Sequence, residues 1–198
     1  MTHGIGVPLG IAALAWMVVR SSLHGTAVHV VTSAIYGTSI VLLYAASSLY
    51  HSGLWAGRRQ LWRTIDHACI YILIAGSYTP FALAAIGGTF GWVMFGTVWG
   101  IAALGSGFKA FTAGRFEVLS TLSYMAMGWM AVIAIPTLLE VLPVAALAWI
   151  LAGGLAYTVG VLFYALDERI PYGHAIWHLC CLGGTTAHLM AVCLYVIP

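Results

Sequence analysis

His174 and His178 stand four residues apart in the run Gly173–His178, G-H-A-I-W-H. On an α-helix that interval stacks both imidazoles on one face, one turn apart. The pair can then grip one metal ion without bending the backbone. The run opens an apolar segment long enough to cross a bilayer, where polar side chains are costly and mark functional sites. Ser47 and His51 repeat the interval at the end of another apolar segment, so they too share a face. Asp66 falls in the first turn expected for the next segment. Three neutral imidazoles plus a water make a catalytic Zn²⁺ site with an open fourth position, and such an ion lowers the pKa of its water toward ~7. His51, His174 and His178 are therefore candidate metal ligands. Asp66 is the candidate orienter of the water or general base. Ser47 can donate to a ligand oxygen or hold Asp66 in place. The Glu of H-E-x-x-H is missing, so this is not the zincin pattern. The competing structural reading has these His bonding neighbouring helices or snorkelling to the interface.

What must bring these residues together is a bundle of membrane helices. The chain is 62% hydrophobic and only 6% charged, against about 25% charged in a soluble domain. Its eight Trp and ten Tyr suit interfacial anchoring. The apolar pattern predicts an all-α, polytopic protein: one seven-helix transmembrane domain over residues 1–198, with helices at about 4–20, 28–50, 64–86, 90–108, 116–138, 144–166 and 172–197. Ile5–Val19 lacks a basic leader and no A-x-A-like site follows, so it reads as a short first span and not a signal peptide. Thr79-Pro80 should kink the third helix. Gly153-Gly154 and Gly160 should let the sixth approach a neighbour closely. Net charge is +2 and the basic residues are scattered between segments, which argues against nucleic acid as a partner. No internal repeat is visible, which weakens a transporter reading.

Orientation follows from the basic residues in the connectors. Those after the second, fourth and sixth segments hold Arg58, Arg59, Arg63, Lys109, Arg115 and Arg169; the opposite side holds Arg20. The positive-inside rule then predicts a cytoplasmic N-terminus and an outside C-terminus. It also puts His51, Asp66, His174 and His178 at the cytoplasmic ends of three helices, at similar depth, although no His entered that argument.

Other polar residues are expected outside the site. His188 lies ten residues beyond His178, about 15 Å along the axis, and should bond another helix. His67 points roughly 100° away from Asp66. His3, His24 and His29 should sit at interfaces, remote from the cluster. Glu140 should be solvated. Asp167 and Glu168 should balance Arg169 at the cytoplasmic mouth. Lys109 and Arg115 read as topology determinants with possible lipid head-group contact. Cys69, Cys180, Cys181 and Cys193 read as free thiols. Trp92, Trp99, Met125, Met127 and Trp129 read as packing or lipid-facing residues.

S-x-x-x-H at Ser47–His51, the stretch Asp66–Phe81 (D-H-A-C-I-Y-I-L-I-A-G-S-Y-T-P-F) and H-x-x-x-H at His174–His178 together resemble the hemolysin III family. That family is the bacterial branch of the progestin and adipoQ receptor proteins, which are also similar to alkaline ceramidases. The resemblance spans nearly the whole chain. It differs only at the start, where such chains usually carry a few more residues before His3. It implies seven helices, a cytoplasmic-side zinc held by His51, His174 and His178, and a water bridged to Asp66.

The leading expectation is a zinc-dependent intramembrane hydrolase of a lipid amide or ester, in the bacterial inner membrane, with membrane lipid as substrate or ligand. The alternative is a non-enzymatic sensor or receptor of membrane state, with zinc as a structural clasp. A cytolysin fits less well, since the chain has no amphipathic excess and no secretion signal.

Overall fold

A computed structural model describes residues 2–54, 56–112 and 115–198. The described residues form helices and no strand. Seven helices are long and apolar enough to cross a membrane: α1 (Thr2–His24), α2 (Ala27–His51), α3 (Arg59–Ile86), α4 (Gly88–Thr112), α5 (Glu117–Val141), α6 (Val144–Ala165) and α7 (Gly173–Tyr195). Large apolar side chains such as Leu104, Val118 and Leu162 point outward, as a lipid-facing surface requires.

Several boundaries differ from those expected. α3 begins at Arg59, so Arg59 and Arg63 ride on the helix and Asp66 sits two turns in. α4 runs to Thr112 and takes Lys109 with it. Glu140 belongs to the last turn of α5 and not to a loop. Apolar periodicity locates the buried stretch of a helix, but its polar ends continue into the head-group zone without an apolar signal.

The perturbation at Thr79-Pro80 is a change of winding: Pro80–Ile86 is π-helical. Pro80 has no N–H for the usual bond to the fourth residue back, and the wider winding accommodates that loss. A second break falls at Met130, between Glu117–Trp129 and Ala131–Val141. Here Tyr78 of α3 enters the hydrogen-bond ladder. Its hydroxyl donates toward the carbonyls of Met127 (3.0 Å) and Gly128 (2.7 Å) and accepts from the N–H of Ala131 (2.7 Å). An inserted side chain is a recognised cause of a kink.

Neighbouring helices pack in chain order from α1 to α4, α6 packs on α7, and α7 closes against α1. α5 lies more loosely against α3, α4 and α6. Gly153 and Gly160 act as expected: a Cβ at Gly153 would strike the His188 ring, and one at Gly160 would meet Trp177 and Cys180 at 2.7 Å. Gly154 instead faces open space. Thr185 of α7 bonds Tyr44 of α2 and Tyr157 of α6, each at 2.7 Å. That knot lies two turns in from both His51 and His178, so it fixes the register at which their helix ends meet. The four cysteines are free.

Candidate metal centre

The last turn of α2 and the first two turns of α7 meet at one end of the bundle. His51, His174 and His178 each offer a ring nitrogen within 4.8 Å of the others. His51 Nε2 and His174 Nε2 are 3.3 Å apart. The edge of a tetrahedron around Zn²⁺ with Zn–N of 2.0–2.1 Å is about 3.3–3.4 Å, so this pair already stands at ligand spacing. The ring centroids lie 4.6–5.0 Å apart. An all-imidazole donor set with these separations fits a zinc-type ion.

The groups behind the ligands support that fit. A metal-binding His usually gives its other ring N–H to a carboxylate, carbonyl or hydroxyl, which fixes the tautomer. His174 Nδ1 lies 3.0 Å from Asp167 Oδ2, and His178 Nδ1 lies 2.8 Å from Thr2 Oγ1. Both rings therefore have Nδ1 occupied and Nε2 left for the centre. Asp167, read from the sequence as balancing Arg169 or tuning entry, lies against His174 instead. The connector folds tightly enough for this because Tyr172 takes a left-handed φ of 62° and Gly173 has no Cβ to strike Asp167 Cα, 2.9 Å from where one would stand.

Asp66 and Ser47 are buried beside this cluster and line the same cavity. Ser47 is a hydrogen-bond neighbour of the Asp66 carboxyl, and it also bonds His3 Nδ1 at 2.8 Å. His3 is the main correction to the sequence reading. It is not at a remote interface but buried in the cluster, its ring stacked on His178 with centroids 3.8 Å apart and planes at 16°. Nothing in residue spacing pointed to it, because it arrives on a different helix, 44 positions from Ser47.

His188 Nε2 donates to the carbonyl of Ile150 on α6 at 3.1 Å, the helix–helix bond expected. His29 closes the start of α2 by accepting the Thr26 N–H at 3.1 Å, and His24 ends α1. His67 is not among the three converging rings but lines the same cavity.

A cavity of about 1340 Å³ opens from the cluster into the bundle. Its polar end holds Ser47, His51, Asp66, His174 and His178; its far end reaches Ile86, Met94 and Leu138. Drug-sized ligands occupy ~300–1,000 Å³, so the space suits something longer and mostly apolar.

A charged wall borders the polar end. Arg63 pairs with Glu117 at 2.6 Å, and Tyr164 donates to the other Glu117 oxygen at 2.9 Å. The Tyr164 ring is 6.1 Å from that of His174. Lys109, expected as a topology determinant at the head groups, is wholly buried, and its Nζ has no hydrogen-bond partner among the described residues. Glu117 already has Arg63, so removing the lysine strands no carboxylate. Lys109→Met is therefore expected to raise the thermal midpoint in detergent, by the equivalent of about 1–3 kcal/mol, the cost of a buried donor left without a partner. A midpoint lowered by several degrees would mean that attraction to Glu117 outweighs the cost of burial.

A family model described as Haemolysin-III related matches residues 1–189. The chain is 44% identical to Hemolysin-3 of Bacillus cereus, over 198 residues covering 100% of this chain and 90% of that protein. It is 41% identical to the Hemolysin-3 homolog of Bacillus subtilis (strain 168), over 197 residues covering 100% of this chain and 92% of that protein. The Monocyte to macrophage differentiation factor of Homo sapiens is a more distant relative, 28% identical over 173 residues covering 84% of this chain and 71% of that protein.

Proposed function

The chain belongs to the haemolysin-III related family, and from that premise we propose that it is a zinc-dependent hydrolase of a lipid amide or ester. In this reading it sits as one seven-helix unit in the bacterial cytoplasmic membrane. Arg58, Arg115 and Arg169 in the connectors after α2, α4 and α6, with Arg59 and Arg63 in the first turns of α3, support a cytoplasmic N-terminus and metal end and an outside C-terminus.

One observation carries the reading. Three imidazoles gather within 4.8 Å of one another, one pair of them at ligand spacing, at the mouth of an apolar cavity that also holds a buried carboxylate. His51, His174 and His178 would hold the ion. A bound Zn²⁺ supplies a Lewis acid for the substrate carbonyl and a nucleophilic water at neutral pH. Asp66 takes the proton of the attacking water and returns it to the leaving nitrogen or oxygen. Ser47, bonded to His3 and beside Asp66, packs against the carboxyl, and its hydroxyl oxygen can accept from Asp66 once that group has taken the proton. The cavity receives the acyl chain, and its walls exclude bulk water. Asp167 orients His174.

The test is a purified, zinc-loaded preparation presented with amide- and ester-linked lipids in mixed micelles. Chelator-sensitive release of free fatty acid is expected, with recovery on returning zinc. Absence of release across all lipid classes from zinc-loaded protein would overturn the assignment.

A further inference from the structure

We propose that the turn Thr2–Ile5, at the head of α1, is a clamp on His178: Thr2 fixes which ring nitrogen carries the proton, and His3 fixes the plane of the ring. The inference rests on the metal reading above for its purpose but on separate contacts for its content.

His178 is held from three directions. Thr2 Oγ1 reaches its Nδ1 at 2.8 Å. The His3 ring lies flat against its face, with centroids 3.8 Å apart and planes at 16°. His3 Nε2 donates to the His178 carbonyl at 3.2 Å. A carbonyl only accepts, so His3 Nε2 must carry a proton. Neutral His3 then offers Nδ1 as an acceptor, and the Ser47 hydroxyl donates to it across 2.8 Å. The buried His3 is thus bonded to α7 through one nitrogen and to α2 through the other. It spans the two helices that carry the three ligands.

The consequence for His178 is mechanical. With a flat ring on its face, the imidazole cannot rotate about its Cβ–Cγ bond without losing the stack. In the clamp Thr2 accepts from Nδ1, which leaves Nε2 as the bare nitrogen of a ring whose neighbours, those of His51 and His174, are 4.9 and 4.6 Å away. Asp167 does the same for His174 from the other side of the cluster. A carboxylate holds one ligand and a hydroxyl with a stacked ring holds the other. Thr2 and His3 are therefore positioning residues, acting through His178.

The experiment uses the full chain in detergent, labelled with ¹⁵N-histidine, and reads two quantities. The first is the His178 tautomer in chelator-treated protein, from ring-nitrogen shifts assigned with a His178→Gln variant. The second is zinc affinity, from competition with a chromophoric chelator, backed by the visible spectrum of the Co²⁺-substituted protein. Wild type should show His178 protonated at Nδ1. Thr2→Val should lose that preference and weaken zinc by about 10–100-fold, while Thr2→Ser restores both. His3→Ala, with helix content checked by circular dichroism, should leave the tautomer but shift the Co²⁺ spectrum and weaken binding. A Thr2→Val protein with an unmoved tautomer overturns the clamp, as does zinc affinity within about threefold of wild type in both variants. If wild type shows the Nδ1–H tautomer yet binds no metal, the metal reading fails and the clamp stands. If metal binds normally whatever occupies position 2 or 3, the clamp fails and the metal reading stands.

Discussion

His51→Ala and His178→Ala proteins are expected to purify with almost no bound zinc, where wild type carries about one ion per chain. Structural zinc sites with four ligands bind with about 10–16 kcal/mol, so one ligand is worth ~2.5–4 kcal/mol, or ~10²–10³-fold in affinity. The loss should be steep because the site has three protein ligands to begin with. His188→Ala is the matched control. It removes a buried imidazole from the same helix and breaks a bond to Ile150, so it costs stability, yet zinc content should stay at the wild-type level. Elemental analysis of the purified proteins reads all three. Unchanged zinc in both ligand variants would mean that the three rings are merely packed together, and the hydrolytic reading would lose its foundation.

The convergence of these rings was legible in the sequence for two physical reasons. Within a helix, a four-residue interval fixes a shared face whatever the tertiary structure does, which ties His174 to His178 and Ser47 to His51. Between helices, the alternation of basic and non-basic connectors says which helix ends lie together, which brings His51 to the His174 pair. The supporting contacts had only the second aid: orientation puts Thr2, His3 and Asp167 on the side of the cluster, but no interval within a helix ties them to a ligand. Thr2 and His3 reach His178 through a single 3₁₀ turn, and such a turn has no periodic signature. Asp167 reaches His174 across a connector whose path depends on a left-handed Tyr172 and a Cβ-free Gly173. In retrospect a carboxylate seven residues ahead of a candidate ligand, with a glycine between them, was a usable sign. Lys109 went astray for a different reason. Charge counts place a lysine at the end of a helix, but α4 winds on past it and buries it against the Arg63–Glu117 pair. The break in α5 was hidden because it is made by Tyr78 of α3 and not by a residue of α5.

Asp66→Asn should separate chemistry from architecture. The carboxylate is not among the three ring nitrogens that converge, so the variant should keep its zinc, its helix content and nearly all of its thermal stability. Its fatty-acid release should fall by about 10²–10⁴-fold, the usual worth of a positioned acid–base group. Asn keeps the shape of the side chain and can still accept from or donate to Ser47, so a collapsed cavity would not explain the loss. A membrane-state sensor that uses zinc as a clasp also keeps its zinc in this variant, because three imidazoles still join α2 to α7, but it predicts no fatty-acid release from wild type for the substitution to abolish. Two measurements on one variant therefore decide between the readings. Zinc retained with turnover abolished places Asp66 in the reaction. Zinc retained with turnover intact removes the carboxylate from the chemistry, and zinc lost would make Asp66 part of the metal's own support. Only the first outcome is compatible with a hydrolase whose proton moves through Asp66.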